Sequence, residues 1–278
     1  YEIHERLVGS EMCIRDRGDF VQTYTEKGFR GNDKEWESMC IPFGEDAKIC
    51  LNGVIDRVDL CSLPGEELIK IIDYKSSDSQ DLLLAKVYYG LQMQLLTYLE
   101  AAKEMVEKEH KGKEAVPAAM LYYAIKEKNL DWKPESEEEY EKRVLDSMKC
   151  KGYVNEEPEI IGHLDKSVVN GGELIPGQKS GVVPVAVDKK GLLKKNSGAL
   201  STKDFETLIA HTKEKMKECG KAILDGKIEA IPYVYEDNDG CTYCPYGSVC
   251  GHESKKDGVR EMKKMSDDEV WEALYGDD

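Results

Sequence analysis

Two short apolar segments, each interrupted by an aspartate, constrain the fold of this chain more than any other feature. The first reads Gly53-Val-Ile-Asp-Arg-Val-Asp59 and the second reads Leu68-Ile-Lys-Ile-Ile-Asp-Tyr-Lys75. Pro64-Gly65 lies between them, and this dipeptide marks a turn. Apolar runs of this length on either side of a turn are typical of two paired strands. We therefore predict a β-hairpin that carries acidic side chains.

The acidic residues of this hairpin suggest a metal site. Alternate residues of a strand share a face, so Asp73 and Lys75 point the same way, and pairing would bring Asp56 close to Asp73. Two adjacent carboxylates repel each other unless a cation lies between them, and Mg²⁺ prefers oxygen ligands. The backbone carbonyl of Tyr74 is a candidate further ligand. With the lysine beside an activated water, this pattern predicts hydrolysis of a phosphodiester. The alternative is a set of ordinary polar residues alternating along half-exposed strands.

Hydrophobic periodicity predicts the remaining elements. Gln94 and Tyr98 share one face of a predicted long helix because they are four residues apart, although a solvated helix face is the alternative. The order β-β-α-β-α predicts a mixed α/β domain with a central sheet. The predicted segments are strands within 41–58, at 68–74, 118–125 and 182–187, and helices at 88–106, 137–148 (with a capping box of Ser136 and Glu139) and 202–224 (between the N-cap Ser201 and Gly226).

The three motifs together resemble the RecB-type nucleases of the PD-(D/E)XK superfamily. They are Gly-x-Ile-Asp-Arg-Val-Asp, Ile-Asp-Tyr-Lys-Ser-Ser and Gln-Met-Gln-Leu-Leu-Thr-Tyr. The resemblance implies a restriction-endonuclease-like α/β fold, with a mixed central sheet flanked by helices. It implies that Asp56 and Asp73 bind Mg²⁺ or Mn²⁺ and that Lys75 is the catalytic lysine. It also implies that Gln94 and Tyr98 lie near the DNA.

The same family uses a histidine upstream of the first aspartate. His4, in the pattern His-x-x-Leu, is its candidate counterpart here, and a surface histidine is the alternative. His4 lies next to residues 8–17, which resemble a translated sequencing adapter. We therefore expect residues 1–17 to be non-native and the chain to be a fragment of a longer protein.

A cysteine cluster near the end of the chain suggests a second metal site. Cys241, Cys244 and Cys250 follow the spacing Cys-x2-Cys-x5-Cys. Zinc would need a fourth cysteine or histidine, and a [4Fe–4S] cluster would need a fourth thiolate. The alternative is three free cysteines. The segment resembles the iron–sulfur staple of the AddB family of helicase–nuclease subunits, which implies a [4Fe–4S] cluster whose fourth cysteine lies upstream and is missing here.

These motifs define the expected organisation of the chain. We expect a nuclease domain at 18–235, a cysteine-rich iron–sulfur segment at 236–256 and an acidic tail at 257–278. Cysteines are nine in number, and we see no secretory signal and no apolar run long enough to span a bilayer. A reducing cytoplasm therefore fits better than a disulfide framework. The other native cysteines are expected to be small core or surface residues; they are Cys40, Cys50, Cys61, Cys150 and Cys219.

The net charge of −16 argues against indiscriminate nucleic-acid binding, which depends on basic surface. A metal at the acidic site and a basic partner subunit could supply the missing positive charge. The resemblance implies a metal-dependent DNA exonuclease that cuts single strands behind a helicase, on the 5′-ended strand, during double-strand break repair. It also implies an AddA-like partner. The chain has no Gly-x4-Gly-Lys-[Ser/Thr] motif for nucleotide hydrolysis, so any ATP-driven unwinding must come from a partner or from missing sequence. The alternatives are a stand-alone CRISPR-associated-type iron–sulfur exonuclease and a non-catalytic iron–sulfur or zinc scaffold that binds DNA ends.

Overall fold

The computed structural model describes residues 17–31, 36–44, 47–76, 81–125, 136, 139, 149–253 and 258–276. His4 and nearly all of the adapter-like segment lie outside these ranges. So does the predicted helix 137–148, apart from Glu139, whose amide donates to Ser136 Oγ at 3.3 Å as the predicted cap requires.

The chain divides into two compact units. The first comprises Tyr1–Cys40, Cys50–Leu82 and Met93–Ala210, and the second comprises Ile41–Ile49, Leu83–Gln92 and His211–Asp278.

The strands in chain order are β1 (Val21–Phe29), β2 (Met39–Phe43), β3 (Ala47–Leu51), β4 (Gly53–Leu63), β5 (Glu66–Lys75), β6 (Glu114–Ala124), β7 (Lys151–Asn155), β8 (Val169–Asn170), β9 (Glu173–Leu174), β10 (Ala199–Leu200), β11 (Tyr233–Tyr235), β12 (Asn238–Asp239) and β13 (Arg260–Glu261). The helices are α1 (Leu84–Tyr88), α2 (Gln94–Glu109), α3 (Pro158–Leu164), α4 (Thr202–Leu224), α5 (Gly247–Cys250) and α6 (Asp267–Tyr275), with a 3₁₀ turn at Lys166–Val168.

The first unit is built on a six-stranded mixed sheet in the order β1-β4-β5-β6-β7-β10. β4 and β5 form the predicted antiparallel hairpin, and Gly65 takes a φ of 85° in its turn, a conformation that favours glycine. β6 then returns parallel to β5. A parallel return requires a crossover connection, and α2 supplies it. The prediction of a mixed central sheet flanked by helices is therefore confirmed.

Each face of this sheet is covered by different elements. α2 packs on β5 and β6 and buries Leu95, Leu96 and Leu99. On the opposite face, Ile72 and Tyr123 belong to an apolar core that includes residues of α3 and of the segment 182–185. The face beneath α2 is called the front face of the sheet, and the opposite face is called the reverse face.

The single helix predicted at 88–106 is wrong. α1 ends at Tyr88, and α2 begins only at Gln94. Gly90 adopts a φ of 75°, which breaks the helix because this left-handed conformation cannot continue a right-handed turn. The break makes Gln94 the first residue of α2, so its side chain lies at the end of the helix rather than in the middle.

The strand predicted at 182–187 is also wrong, although its valines are buried as a strand core would be. Val182, Val183 and Val185 belong to the reverse-face core, but the backbone forms only isolated bridges, at Ala186 and Val187. Pro184 cannot donate a ladder hydrogen bond, which disfavours a regular strand here. The segment therefore contributes apolar packing without extending the sheet.

Helix α4 begins and ends at the predicted residues. The amide of Asp204 donates to Ser201 Oγ at 3.1 Å, and the amide of Ser201 donates back to Asp204 Oδ2 at 3.0 Å. This reciprocal pair satisfies two donors at the start of the helix. Gly226 ends it with a φ of 66°.

The cysteines correct one prediction. Cys40 on β2 and Cys50 on β3 form a disulfide, so they are not the free residues that we expected. The two strands pair as a hairpin, which brings the two Cα atoms to 4.1 Å. As predicted, Cys61 and Cys150 are buried free thiols and Cys219 is an exposed one.

The second unit contains a small sheet in the order β12-β11-β13 together with the helices α5 and α6. Within the acidic segment 257–278, Ser266 caps α6 through a reciprocal pair with Glu269. Within the described ranges, no helix is both long enough and apolar enough to cross a bilayer.

Candidate functional site

The register of β4 and β5 brings the two predicted aspartates together. Arg57 pairs with Ile72, so Asp56 and Asp73 lie opposite each other one step further along the antiparallel ladder. Asp73 is only 2% exposed and Asp56 is half-buried. Both face the front of the sheet at its α2 side, as the alternation of side chains predicts.

Lys75 connects the aspartates to helix α2. Its Nζ lies 2.6 Å from Asp73 Oδ2 and donates to Gln94 Oε1 at 2.8 Å. Gln94 Nε2 in turn donates to the Tyr98 hydroxyl at 2.9 Å. The four side chains Asp73, Lys75, Gln94 and Tyr98 therefore form one continuous polar chain, which joins the two predicted motifs.

The side chain of Asp56 contacts the backbone of the neighbouring strand β5. The amide of Tyr74 donates to Asp56 Oδ2 at 2.8 Å. This bond holds one oxygen of the carboxylate against β5 and fixes its direction.

Burial and charge act against each other at Asp73. Burial raises the pKa of this carboxyl, the Lys75 ammonium lowers it, and the neighbouring Asp56 carboxylate raises it again, so that the pKa lies above its ordinary value. Among the described residues, none gives the buried Oδ2 a hydrogen bond of good geometry, although the ammonium lies within ion-pair distance. An additional positive charge would therefore be stabilised at this point.

The donor set fits a hard divalent cation. Asp56 and Asp73 offer carboxylate oxygens, and Mg²⁺ is commonly held by one or two carboxylates while it keeps several waters. No cluster of three or more His, Cys, Asp or Glu side chains suited to a metal occurs in the part of the chain that the structure describes.

The cysteine motif lies in the second unit, with Cys241 and Cys244 in the turn segment before α5 and Cys250 as the last residue of α5. Cys241, Cys244 and Cys250 are all exposed free thiols, and the amides of Cys241 and Thr242 donate to Asp239 Oδ1 at 2.8 and 2.6 Å. Desolvation raises the pKa of the Cys241 thiol, and Asp239, Cys244 and Cys250 raise it further. Among the described residues, no group of three or more His, Cys, Asp or Glu side chains suited to a metal forms around these sulfurs.

Sequence reasoning missed two features of this region. Arg57, Asp59 and Lys70 form a buried charged cluster on the reverse face. Tyr122 on β6 lies beneath Lys75 on the front face, with its ring centroid 5.1 Å from Nζ. The signal for the buried charged cluster was the presence of charged residues at interior positions of two apolar strands. The second depends on the β5–β6 register, for which the sequence offers no signal.

Residues 9–251 match the PD-(D/E)XK nuclease superfamily. The chain belongs to this superfamily. Its mixed sheet flanked by helices is the restriction-endonuclease-like fold, and the Asp56–Asp73–Lys75 arrangement lies within the matched residues.

The chain is also similar to the AddB subunits of ATP-dependent helicase/deoxyribonucleases. It is 36% identical to that of Lachnoclostridium phytofermentans over 237 residues, covering 84% of this chain and 20% of the relative. It is 34% identical to that of Clostridium botulinum, covering 96% of this chain and 22% of the relative. It is 33% identical to that of Thermoanaerobacter sp. (strain X514), covering 93% of this chain and 22% of the relative. The chain thus spans about a fifth of the length of these relatives.

Proposed function

We propose that this chain is the nuclease part of a helicase–nuclease and hydrolyses DNA with the help of a divalent metal ion. The observation that carries the proposal is the joining of Asp56, Asp73 and Lys75 on one face with Gln94 and Tyr98 of α2. The superfamily membership and the names of the similar proteins support it.

The residues of the site have distinct roles in this proposal. The carboxylates of Asp56 and Asp73 and the backbone carbonyl of Tyr74 would hold Mg²⁺ or Mn²⁺. When bound, such an ion polarises a phosphoryl oxygen and acidifies a nearby water. The Lys75 ammonium stabilises negative charge that develops on the phosphate. Gln94 holds the ammonium through its Oε1.

Gln94 and Tyr98 also present polar groups beside the site. Gln94 is at the start of α2 and Tyr98 is one turn later, so their side chains form a short polar edge next to Lys75. We propose that this edge contacts the DNA backbone near the bond that is cut. Arrangement on a helix fixes these groups relative to the carboxylates.

The acidic composition bears on the partner. With a net charge of −16, the chain cannot attract DNA by its overall field. We propose that an AddA-like subunit supplies basic surface and unwinding, and that this chain cuts the single strand behind it during double-strand break repair. The names of the similar proteins support a helicase complex.

The test is cleavage of end-labelled single-stranded DNA with Mg²⁺. We expect cleavage by the wild-type chain and none by Asp73→Ala, because removal of this carboxylate removes a metal ligand. Asp225→Ala, which changes an exposed aspartate after α4, is the matched control and should cut normally. Circular dichroism should show the same fold in all three proteins. Cleavage that persists in Asp73→Ala or in EDTA would refute the mechanism, and DNA-end binding without any cleavage would favour a scaffold.

We also propose that Cys241, Cys244 and Cys250 hold a [4Fe–4S] cluster, or zinc in its place. Three free thiols on one short segment, with the spacing Cys-x2-Cys-x5-Cys, support this. The proposal requires a fourth ligand from outside the segment. Anaerobic purification should give a brown protein that absorbs at roughly 400 nm. Cys244→Ser should lose the colour, whereas Cys219→Ser should keep it; zinc found by elemental analysis would replace iron in the proposal.

A further inference from the structure

We propose that Tyr122 is a positioning residue that holds the ammonium group of Lys75 over its aromatic ring. This inference rests on the proposed nuclease function, because it concerns the lysine of the same site. Tyr122 belongs to none of the motifs that identify the family in this chain.

The geometry of the contact is set by the sheet. Tyr122 pairs with Asp73 in the parallel β5–β6 ladder and is 5% exposed, so its ring is fixed in the floor of the site. The Lys75 Nζ lies 5.1 Å from the ring centroid. A cation within about 6 Å of a ring centroid is attracted by the electron-rich face.

The Tyr122 ring can hold the Lys75 ammonium in place in a way that a further acidic residue could not. Lysine has a flexible four-carbon stem, so a single ion pair with Asp73 does not fix its position. Gln94 adds a second contact and the Tyr122 ring adds a third. Another carboxylate would hold the ammonium but cancel its charge. The ring attracts the ammonium without adding a further negative charge next to the phosphate.

A graded series at position 122 tests this role in the full chain. Tyr122→Phe keeps the ring, and replacement by phenylalanines with one, two or three fluorines weakens the ring face with little change in size. We expect kcat for Tyr122→Phe to stay within about threefold of wild type and to fall with each fluorine, and kcat for Tyr122→Leu to fall about 3- to 30-fold. KM for single-stranded DNA should change little, because the ring contacts no substrate in this role.

The neighbouring Tyr123 provides a matched control. It lies on the same strand, is 2% exposed and packs against Tyr74 on the reverse face. Tyr123→Leu should lower the melting temperature, as loss of a buried ring does, while leaving kcat unchanged. If fluorination leaves kcat flat, or if Tyr123→Leu lowers kcat as much as Tyr122→Leu, the positioning role is refuted.

A second measurement does not depend on cleavage. In protein labelled with ¹³C-lysine, the ε-methylene of Lys75 should be shielded by the Tyr122 ring, and Tyr122→Leu should return its NMR signal to the ordinary lysine position. If the wild-type chain cut no DNA, the proposed function would fall while this shift still decided the contact. If the chain cut DNA but Lys75 showed no shielding, only the Tyr122 inference would be lost.

Discussion

The two faces of the β4–β5 hairpin carry charge clusters of opposite composition. On the reverse face one carboxylate, Asp59, lies between two cations: Arg57 Nε at 2.7 Å and Lys70 Nζ at 2.9 Å. On the front face one ammonium, Lys75, pairs with the Asp73 carboxylate, and a second carboxylate, Asp56, lies opposite Asp73. The same two strands therefore hold an excess of positive charge on one side and of negative charge on the other.

The two clusters differ in how their charges are satisfied. Asp59 accepts two hydrogen bonds from Arg57 and forms an ion pair with Lys70. The Lys70 ammonium also lies 4.9 Å from the Phe20 ring centroid. All three charged residues are at most 5% exposed. On the front face, the Lys75 side chain is 20% exposed and Asp73 Oδ2 lacks a well-formed hydrogen bond among the described residues. The reverse cluster is closed, whereas the front cluster can accept a ligand.

This comparison predicts its largest effect at Asp59. Burial opposes the charge on Arg57, but the hydrogen bonds and charge of Asp59 raise its pKa above the ordinary value. Asp59→Asn would leave two buried cations without a carboxylate. We expect it to lower the free energy of unfolding by about 3–5 kcal/mol, measured by urea denaturation.

A triple substitution is the control for this prediction. Arg57→Met, Asp59→Leu and Lys70→Met together replace every charge of the cluster with an apolar side chain. We expect the triple variant to be more stable than Asp59→Asn, because removal of a whole buried cluster leaves no uncompensated ion. A loss of less than about 1 kcal/mol in Asp59→Asn would show that the reverse cluster is not closed.

The front face should behave in the opposite way when its buried carboxylate is neutralised. The pKa of Asp73 is raised in the folded chain, so its ionised form is disfavoured by folding. This penalty is present when the pH exceeds the raised pKa and disappears below the unfolded value of 3.8. In metal-free buffer at neutral pH, Asp73→Asn should therefore raise the free energy of unfolding. The gain should vanish as the pH is lowered toward 3.8.

Divalent metal supplies the control for the Asp73 prediction. Thermal unfolding should show that Mg²⁺ stabilises the wild-type chain, by about 1.4 kcal/mol at ten times its dissociation constant, and does not stabilise Asp73→Asn. Asp225→Asn should respond to Mg²⁺ as the wild type does. Destabilisation by Asp73→Asn in metal-free buffer would mean that the Lys75 ion pair outweighs the penalty of burial.

The sequence predicts the front face better than the reverse face for a physical reason. The hairpin depends on local signals, namely two alternating apolar runs and the Pro64-Gly65 turn, so the approach of Asp56 to Asp73 follows from strand periodicity. The roles of Asp59 and Lys70 depend on their cross-strand pairing and on burial by elements far away in sequence. Periodicity alone cannot show whether a charged residue in an apolar strand is buried.

The remaining differences also arise from tertiary structure. The helix predicted at 88–106 follows the apolar pattern, but the φ of Gly90 interrupts it. Tyr122 contacts Lys75 only because β6 returns parallel to β5 in one particular register. The Cys40–Cys50 disulfide requires the pairing of β2 with β3, which a spacing of ten residues does not reveal.

The smallest predicted effect concerns Tyr74, which connects the two faces. Its amide donates to Asp56 on the front face, and its hydroxyl lies 3.4 Å from Arg57 Nη1 on the reverse face. Tyr74→Phe removes only the hydroxyl. The contact is long and Arg57 keeps its ion pair with Asp59, so we expect the free energy of unfolding to fall by about 0.5 kcal/mol in urea denaturation and DNA cleavage to be unchanged.

Tyr246→Phe, at a position that is 68% exposed, is the control and should have no effect. A loss above about 2 kcal/mol would place the hydroxyl within the reverse cluster. If cleavage fell as well, the two faces would be energetically coupled through Tyr74, and the separation of a closed structural face from an open functional face would not hold.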